Sequence, residues 1–101
     1  MSILTISKAQ KQIAKYTCER RLGIGLTQNG LAVRAGVSLS TLRKFEQKGL
    51  ISLESLLKLL MVLNALDKLV EAIKPEQSTF LSIDDVLNDK SKKTPKKGWR
   101  S

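Results

Sequence analysis

The sequence predicts an all-α domain of five helices, followed by a short extension and a basic tail. Two patterns and the chain length lead to this prediction. Apolar residues recur at intervals of three and four through most of positions 1–75, which is the spacing of one face of a helix. Ser or Thr stands before several of these segments and Gly stands after them, as is typical of helix ends. A chain of 101 residues is long enough for one small domain with a single core.

The first helix is predicted to begin after Ser7 and to end at about Leu22, where Gly23 and Gly25 follow. Its apolar residues are expected to form a stripe that packs on the core. The stripe consists of Ala9, Ile13 and Tyr16 or Thr17.

Two shorter helices are predicted at residues 28–35 and 39–47, with Thr27 and Ser38 as their N-terminal caps. Gly36 suits the left-handed residue that ends the first of these helices. The residues expected to face the core are Leu31, Ala32, Ala35, Val37, Leu42 and Phe45, and Gly49 is expected to end the second helix.

Ser52 is predicted to begin a fourth helix that closes the core. Residues 66–73 either extend this helix or form a fifth one, and Pro75 lies just past their end. Residues 79–83 favour a short strand. The residues of the fourth helix expected to face the core are Leu53, Leu56, Leu57, Leu60 and Leu63.

The composition divides the chain into three parts. Residues 1–75 hold the predicted helices, residues 76–89 form an extension suited to dimerisation or to a partner, and residues 90–101 are expected to be disordered. Eighteen Lys and Arg oppose nine Asp and Glu, so the net charge is +9. Six of the basic residues lie within 90–101, where no acidic residue occurs, and residues 1–89 keep a charge of +3. This balance favours a polyanionic partner, most often nucleic acid, although a basic tail alone could equally be a solvated appendage.

The sequence lacks the residues that most catalytic and metal sites need. Cys18 is the only cysteine and the chain has no His, which excludes an intrachain disulfide and a His-activated thiol. The GxG at 23–25 lacks the other residues of a phosphate loop, and the adjacent Asp84 and Asp85 favour a helix start. We therefore expect no enzyme activity, no cofactor and no metal. The start of the chain lacks the order of a signal peptide, and the apolar run at 56–66 is too short to span a bilayer, so we expect a cytoplasmic protein.

Residues 26–47 carry the strongest indication of function. They combine two short helices, a glycine turn between them and a polar cap before each, which is the plan of a helix-turn-helix. The second helix of this motif lies in the major groove of DNA, about 12 Å wide, so its outer face needs slim or flexible side chains. By helical spacing, that face consists of Leu39, Ser40, Arg43 and Lys44.

Several groups of residues follow one another here in a characteristic order. They are Leu26-Thr27-Gln28, Leu31-Ala32, Ala35-Gly36-Val37-Ser38, Ser40-Thr41-Leu42 and Phe45-Glu46, continued by Gly49, Ser52-Leu53, Leu56-Leu57 and Leu60. In this order the chain resembles the lambdoid-repressor, or XRE, helix-turn-helix family across residues 10–73. The resemblance implies the five-helix, lambda-repressor-like DNA-binding fold. Within that family, the phrase FEQKGLISLESLLKLL, followed by a short linker and a basic tail, resembles the HipB-like antitoxins that partner HipA-like kinases.

Four positions match those that contact bases in the family. Arg43 and Lys44 can donate hydrogen bonds to O6 and N7 of guanine, and Ser40 can donate or accept. Leu39 departs from the usual polar residue, and it contacts either a thymine methyl or nothing. Gly30 also departs from the family, which usually has a helix-forming residue at this position.

Three polar residues at helix starts are candidates for contacts with phosphate. Gln28 lies where backbone N–H groups and the helix dipole favour an anion, and the family's glutamine at this position contacts the DNA backbone. Ser38 and Thr41 are further candidates, although Ser38 serves first as a helix cap. The resemblance also implies a largely buried ion pair between Arg21 and Glu46.

Together these features predict a sequence-specific repressor that binds double-stranded DNA as a symmetric homodimer. One recognition helix covers only a few base pairs, so two helices on a palindromic operator are needed for specificity. The dimer contact is expected in residues 66–73 or 80–83, which offer apolar side chains beyond those of a minimal core.

The resemblance further implies an antitoxin that binds a co-encoded HipA-like kinase and represses its own operon. Two alternatives remain, a protein-interaction module that inhibits a partner kinase and binds DNA weakly, and a stand-alone phage-type repressor. Trp99 is either an exposed residue without a role or an anchor that inserts into the partner kinase.

Overall fold

A computed structural model describes residues 3–76, and it confirms the all-α prediction. Within that range there are helices and turns but no strand. The predicted strand at 79–83, the rest of the extension and the basic tail lie outside the described residues. No helix in the described part combines the length and the apolar character needed to cross a membrane. The helices are α1 (Ile6–Gly23), α2 (Gln28–Ala35), α3 (Leu39–Lys48), α4 (Leu53–Val62) and α5 (Leu66–Ile73).

Three of the predicted helix starts are confirmed by their hydrogen bonds. The side-chain oxygens of Thr27, Ser38 and Ser52 each accept a bond from the backbone N–H three residues later, over 2.9 to 3.1 Å. The prediction for α1 is wrong by two residues, because the cap is Thr5 and not Ser7. Thr5 Oγ1 accepts from the N–H of Lys8 at 3.1 Å, which places Ser7 inside the first turn.

Two helices end at a glycine, as predicted, and both glycines adopt the left-handed conformation. Gly36 ends α2 with φ of 71° and Gly49 ends α3 with φ of 77°. Gly49 also lies against the backbone of α1, since a Cβ added to it would stand 2.9 Å from the carbonyl carbon and oxygen of Gln10. A side chain at position 49 would therefore push α3 away from α1.

The core lies where α1, α2, α3 and α4 meet. Helix α1 packs on α3, α2 packs on both α3 and α4, and α5 packs on α4. Phe45 is the largest fully buried side chain. The buried cluster consists of Ala14, Leu31, Ala32, Val37, Leu42, Phe45, Leu59 and Leu63.

The predicted core stripe of α1 is only partly right, since Thr17 is buried and Ala9 is half-buried, but Ile13 and Tyr16 are exposed. Ile13 and Tyr16 keep 45% and 53% of their surface exposed, while the buried residues of α1 are Ala14, Thr17 and Arg21. The physical reason is the close approach of α1 to α3, which admits small side chains at the contact. Apolar spacing identifies an amphipathic helix, but here the apolar stripe lies beside the packed face.

The predicted inner face of α4 is only partly right. Leu60 and Leu63 are buried as expected, whereas Leu53 is exposed and the fully buried residue is Leu59, which was not predicted. Seven of the ten residues of α4 are apolar, so several faces of this helix fit the spacing equally well. The position of α2, which packs on α4, decides which of these faces is buried.

Candidate nucleic-acid interface

Helices α2 and α3 are joined by a short turn that is fixed from both sides. Gly36 turns the chain in the left-handed conformation, and the N–H of Val37 donates to the carbonyl of Ala32 at 3.0 Å. The side chain of Val37 is buried in the core, as the sequence predicts. Because Leu31 and Leu42 are fully buried on the inner sides of the two helices, the opposite side of α3 is left to face outward.

The outward side of α3 carries the candidate base-contacting residues. Ser40, Arg43 and Lys44 are exposed, and Leu39 is half-buried because part of its side chain packs against the core. The four residues line one shallow depression together with Gln47 and Lys48. Those last two residues are missing from the sequence prediction, although Gln47 follows Arg43 and Lys44 at the helical intervals of four and three.

A cluster of hydroxyl groups lies at the N-terminus of α3. Ser38 Oγ accepts from the N–H of Thr41 at 3.1 Å and donates to Thr41 Oγ1 at 2.7 Å. The hydroxyl of Ser40 lies 3.2 Å from Ser38 Oγ. Ser38 is thus a helix cap in the structure, and the three hydroxyls surround the end of α3 where the helix dipole is positive.

Gln28, at the first position of α2, is engaged by α3 and is half-buried. Its Nε2 donates to Glu46 Oε1 at 2.9 Å. Its Oε1 accepts from Arg43 Nε at 3.4 Å, which is a long hydrogen bond. The Gln28 side chain therefore links Glu46, on the inner side of α3, to Arg43 on its outer side. One hydrogen of Nε2 remains available for a further acceptor.

Arg21 and Glu46 form a two-point ion pair between α1 and α3. Arg21 Nε lies 2.8 Å from Glu46 Oε2, and Nη2 donates to Oε1 at 3.1 Å. The two side chains keep only 9% and 7% of their surface exposed. The guanidinium also donates from Nη1 to the carbonyl of Leu26 at 2.8 Å and lies 3.5 Å from the sulfur of Cys18.

The surroundings of this pair favour the charged form of both groups. The hydrogen bond to Glu46 raises the pKa of Arg21 above its usual value, against the cost of burial. Burial would raise the pKa of Glu46, but the hydrogen bonds from Arg21 and Gln28 outweigh burial and hold that pKa below its usual value. Both side chains are therefore ionised at neutral pH.

Four of the candidate residues belong to one polar chain. It runs from Arg21 in the core through Glu46 and Gln28 to Arg43 on the outer side of α3. From the sequence, Arg21 and Glu46 are expected as a pair, but their connection through Gln28 to Arg43 is missed. The spacing of residues gives no signal for it, because Gln28 lies 18 positions from Glu46 and 15 positions from Arg43.

Some sequence predictions fall on residues that are not described. Trp99, all of the extension at 76–89 except its first residue, and the lysines of 90–101 lie outside residues 3–76. Among the described residues, no group of His, Cys, Asp and Glu side chains is placed to hold a metal ion.

A family model described as helix-turn-helix matches residues 19–69, which is half of the chain. The match extends from the end of α1 through α2, α3 and α4 into α5. The chain therefore belongs to the helix-turn-helix family of the XRE, lambda-repressor-like type, and it is a DNA-binding regulator of transcription. No curated protein and no solved structure matches the chain.

Proposed function

We propose that this protein is a sequence-specific repressor that inserts α3 into the major groove of a palindromic operator, as a homodimer in the cytoplasm. The observation that carries the proposal is the exposed face of α3. Ser40, Arg43 and Lys44 project from it, while Leu42 and Phe45 fix the opposite side of the same helix in the core. A helix that is fixed on one side and polar on the other suits direct contact with base edges.

The residues of α3 suit different contacts with base edges. Arg43 and Lys44 donate to guanine O6 and N7, and Ser40 donates or accepts at an adjacent base. The exposed part of Leu39 suits a thymine methyl group. Because Gln28 holds Arg43 at Nε, both terminal nitrogens of this guanidinium stay available for guanine.

The starts of α2 and α3 suit contacts with phosphate. Unpaired backbone N–H groups and the positive end of the helix dipole favour an anion at each start. Gln28 contributes its remaining amide hydrogen at α2, and Ser38 and Thr41 contribute hydroxyls at α3. These contacts position α3 in the groove and carry no sequence information of their own.

The proposal is tested by replacing Arg43 and Lys44 with Ala in the full chain. The operator is first selected from random DNA with the wild-type protein, and affinities are then measured by fluorescence anisotropy. Removal of each base-contacting side chain is expected to cost about 1–3 kcal/mol of binding free energy. The preference for the selected site should therefore largely disappear.

The matched control replaces two lysines of α1, Lys11 and Lys15, which are exposed and distant in sequence from α3. It removes the same number of positive charges, so a general loss of charge would weaken both variants alike. Circular dichroism checks that both variants remain folded. A folded Arg43 and Lys44 variant with wild-type affinity and preference would refute the assignment of α3.

The operon context proposed for this repressor is that of an antitoxin. The support is the resemblance of residues 45–60 to HipB-like antitoxins, and the implied partner is a HipA-like kinase. To test this, the product of the neighbouring gene is co-expressed with this chain. We then measure whether the two proteins bind each other and whether this chain inhibits the kinase activity of its neighbour. A neighbour without kinase activity would favour a stand-alone phage-type repressor, and strong kinase binding without operator binding would favour a protein-interaction module.

Trp99 is proposed as an anchor for that kinase. A tryptophan near the end of a lysine-rich segment combines a large apolar surface with positive charge, and tryptophan is enriched among residues that dominate binding energy. Trp99→Ala should weaken binding of the kinase by about 2 kcal/mol or more and leave operator affinity unchanged. If calorimetry gives the wild-type chain and Trp99→Ala the same affinity for the kinase, Trp99 is not the anchor.

A further inference from the structure

Helix α4 carries an apolar groove on the side that faces away from the core. Leu53, Leu57 and Met61 follow one another at intervals of four along α4, and Leu66 joins them from the start of α5. Leu53 and Met61 are exposed, and Leu57 and Leu66 are half-buried. We call this surface the α4 groove. A contiguous exposed apolar surface of this kind usually marks a contact with another molecule.

The apolar surface continues from the α4 groove onto α5. Val70 and Ile73 are exposed. Val70 lies four positions after Leu66, and Ile73 lies three positions after Val70, so the three residues share one side of α5. Although α5 is strongly amphipathic by sequence, none of its residues is fully buried. Within residues 3–76, the apolar sides of both helices are therefore incompletely covered.

The charges at one edge of the groove are arranged so that they complement a reversed copy of themselves. Glu54 precedes Lys58 by one turn, and the two side chains lie 3.4 Å apart while both remain largely exposed. If the α4 of a second copy lies antiparallel to the first, the edge that carries Glu54 and Lys58 contacts the same edge of the other copy, with the order of the two residues reversed. The Glu54 carboxylate of each copy then faces the Lys58 ammonium group of the other copy.

We infer that the α4 groove is the surface by which two copies of this chain bind each other, with one α4 antiparallel to the other about a two-fold axis. The occupant of each groove is the Leu53, Leu57 and Met61 stripe of the second copy. Such a contact is isologous, because the same patch is used on both copies and closes the assembly at two. The inference rests on the proposed function and names the surface of the homodimer.

The location of α4 suits a dimer that recognises a palindrome. Ser52, the cap of α4, and Ser55 in its first turn line one surface depression with Thr41 and Lys44 of α3. The start of α4 therefore lies next to the recognition helix, although the α4 groove is on another side of α4. A two-fold axis at α4 places the two recognition helices symmetrically about a common axis, as the two halves of a palindromic site require.

The first test is the mass of the full-length chain in solution without DNA, measured by sedimentation equilibrium. We expect the wild-type chain to be a dimer, and we expect Met61→Glu to weaken the dimer about a hundredfold because two like charges enter the apolar contact. Val33→Glu on α2 is the matched control, since Val33 and Met61 are exposed to a similar extent, 71% and 65%. The control should dimerise as the wild type does.

The second test asks whether Glu54 faces Lys58 across the axis. Glu54→Lys places two lysines at the edge of each copy, and Lys58→Glu places two glutamates there. Each variant alone should dimerise about tenfold more weakly than wild type at low salt, since like charges then face each other. An equimolar mixture of the two should recover association, because every facing pair in the mixed dimer is again of opposite charge.

Any of four outcomes would overturn the inference. A wild-type chain that is monomeric at all concentrations has no such contact, and residues 77–101 or another protein would then cover the groove. If Met61→Glu dimerises as tightly as wild type, the contact lies on another surface. The same conclusion follows if the mixture of Glu54→Lys and Lys58→Glu does not recover association. Loss of the dimer in Tyr16→Glu, with Met61→Glu unaffected, would place it on α1. A monomeric wild-type chain would also remove the homodimer from the proposed function, whereas the other outcomes move only the contact surface. The assignment of α3 is tested independently, by the operator preference of the Arg43 and Lys44 variant.

Discussion

Replacement of Glu46 by Ala is expected to destabilise the fold strongly. The substitution removes the acceptor of two hydrogen bonds from Arg21, at 2.8 and 3.1 Å, and of one from Gln28 at 2.9 Å. The guanidinium keeps its bond to the carbonyl of Leu26, but its charge then has no partner and only 9% of the side chain is exposed. An unpartnered charge in such a site costs roughly 3–5 kcal/mol.

The lower end of that range fits this site best, because the Leu26 carbonyl continues to compensate part of the charge. A loss of about 3 kcal/mol in the free energy of unfolding corresponds to a fall of about 15 °C in Tm for a domain of this size. The free energy is measured by urea denaturation followed by circular dichroism. Glu19→Ala is the control, since Glu19 is an exposed carboxylate on α1. It should change the free energy by less than about 0.5 kcal/mol.

A double variant separates the cost of an unpartnered charge from the net value of the pair. Arg21→Met with Glu46→Leu removes both charges and keeps most of the apolar volume. It should be more stable than Glu46→Ala, because no buried charge is left without a partner. Unchanged stability in Glu46→Ala, or a double variant less stable than the single one, would refute this reasoning.

Three further predictions concern the glycine at the end of α3, acid pH and the basic tail. Gly49→Ala should destabilise the fold more than Gly25→Ala in urea denaturation, because both residues have φ of 77° but only position 49 lies against the backbone of α1. Because the pKa of Glu46 is lowered in the folded state, its contribution to stability is complete above the unfolded value of about 4.3 and is lost as pH falls through the folded value. Glu46→Gln should flatten that acid dependence, and an unchanged pH profile would exclude this carboxylate as its source. Deletion of residues 90–101 should weaken operator binding without changing site preference, and the slope of log K against log salt should fall by about 0.9 for each phosphate that the tail neutralises in the full chain.

The parts of the fold that depend on neighbouring residues were predictable from the sequence. The caps at Thr27, Ser38 and Ser52 and the left-handed Gly36 and Gly49 follow from short-range hydrogen bonding and backbone sterics. These features set where a helix begins and ends, whatever the helix packs against. The five helices follow from them together with the apolar periodicity.

The faces that the helices bury were less predictable, because burial depends on partners distant in sequence. On α1, the apolar spacing favoured Ile13 together with Tyr16 or Thr17, and of these only Thr17 is buried. Ala14, which was not predicted, is buried as well, because small side chains allow α1 to approach α3. On α4, apolar residues occur on most sides, and the packing against α2 decides among them. The same excess of apolar residues leaves exposed stripes at positions where the spacing alone predicts core.

The role of Gln28 brings together the stability of the fold and the candidate contact with DNA. From the sequence, a glutamine at the start of α2 indicates a contact with phosphate, and nothing in its neighbours indicates more. The structure adds that its amide nitrogen bonds to Glu46 and its oxygen accepts from Arg43. The buried ion pair therefore fixes the residue that orients a candidate base-contacting side chain, so a change in the core at Arg21 or Glu46 reaches the outer face of α3 through one intermediate residue. If Arg43 contacts bases as proposed, a substitution that weakens the pair is expected to lower both the free energy of unfolding and the operator affinity.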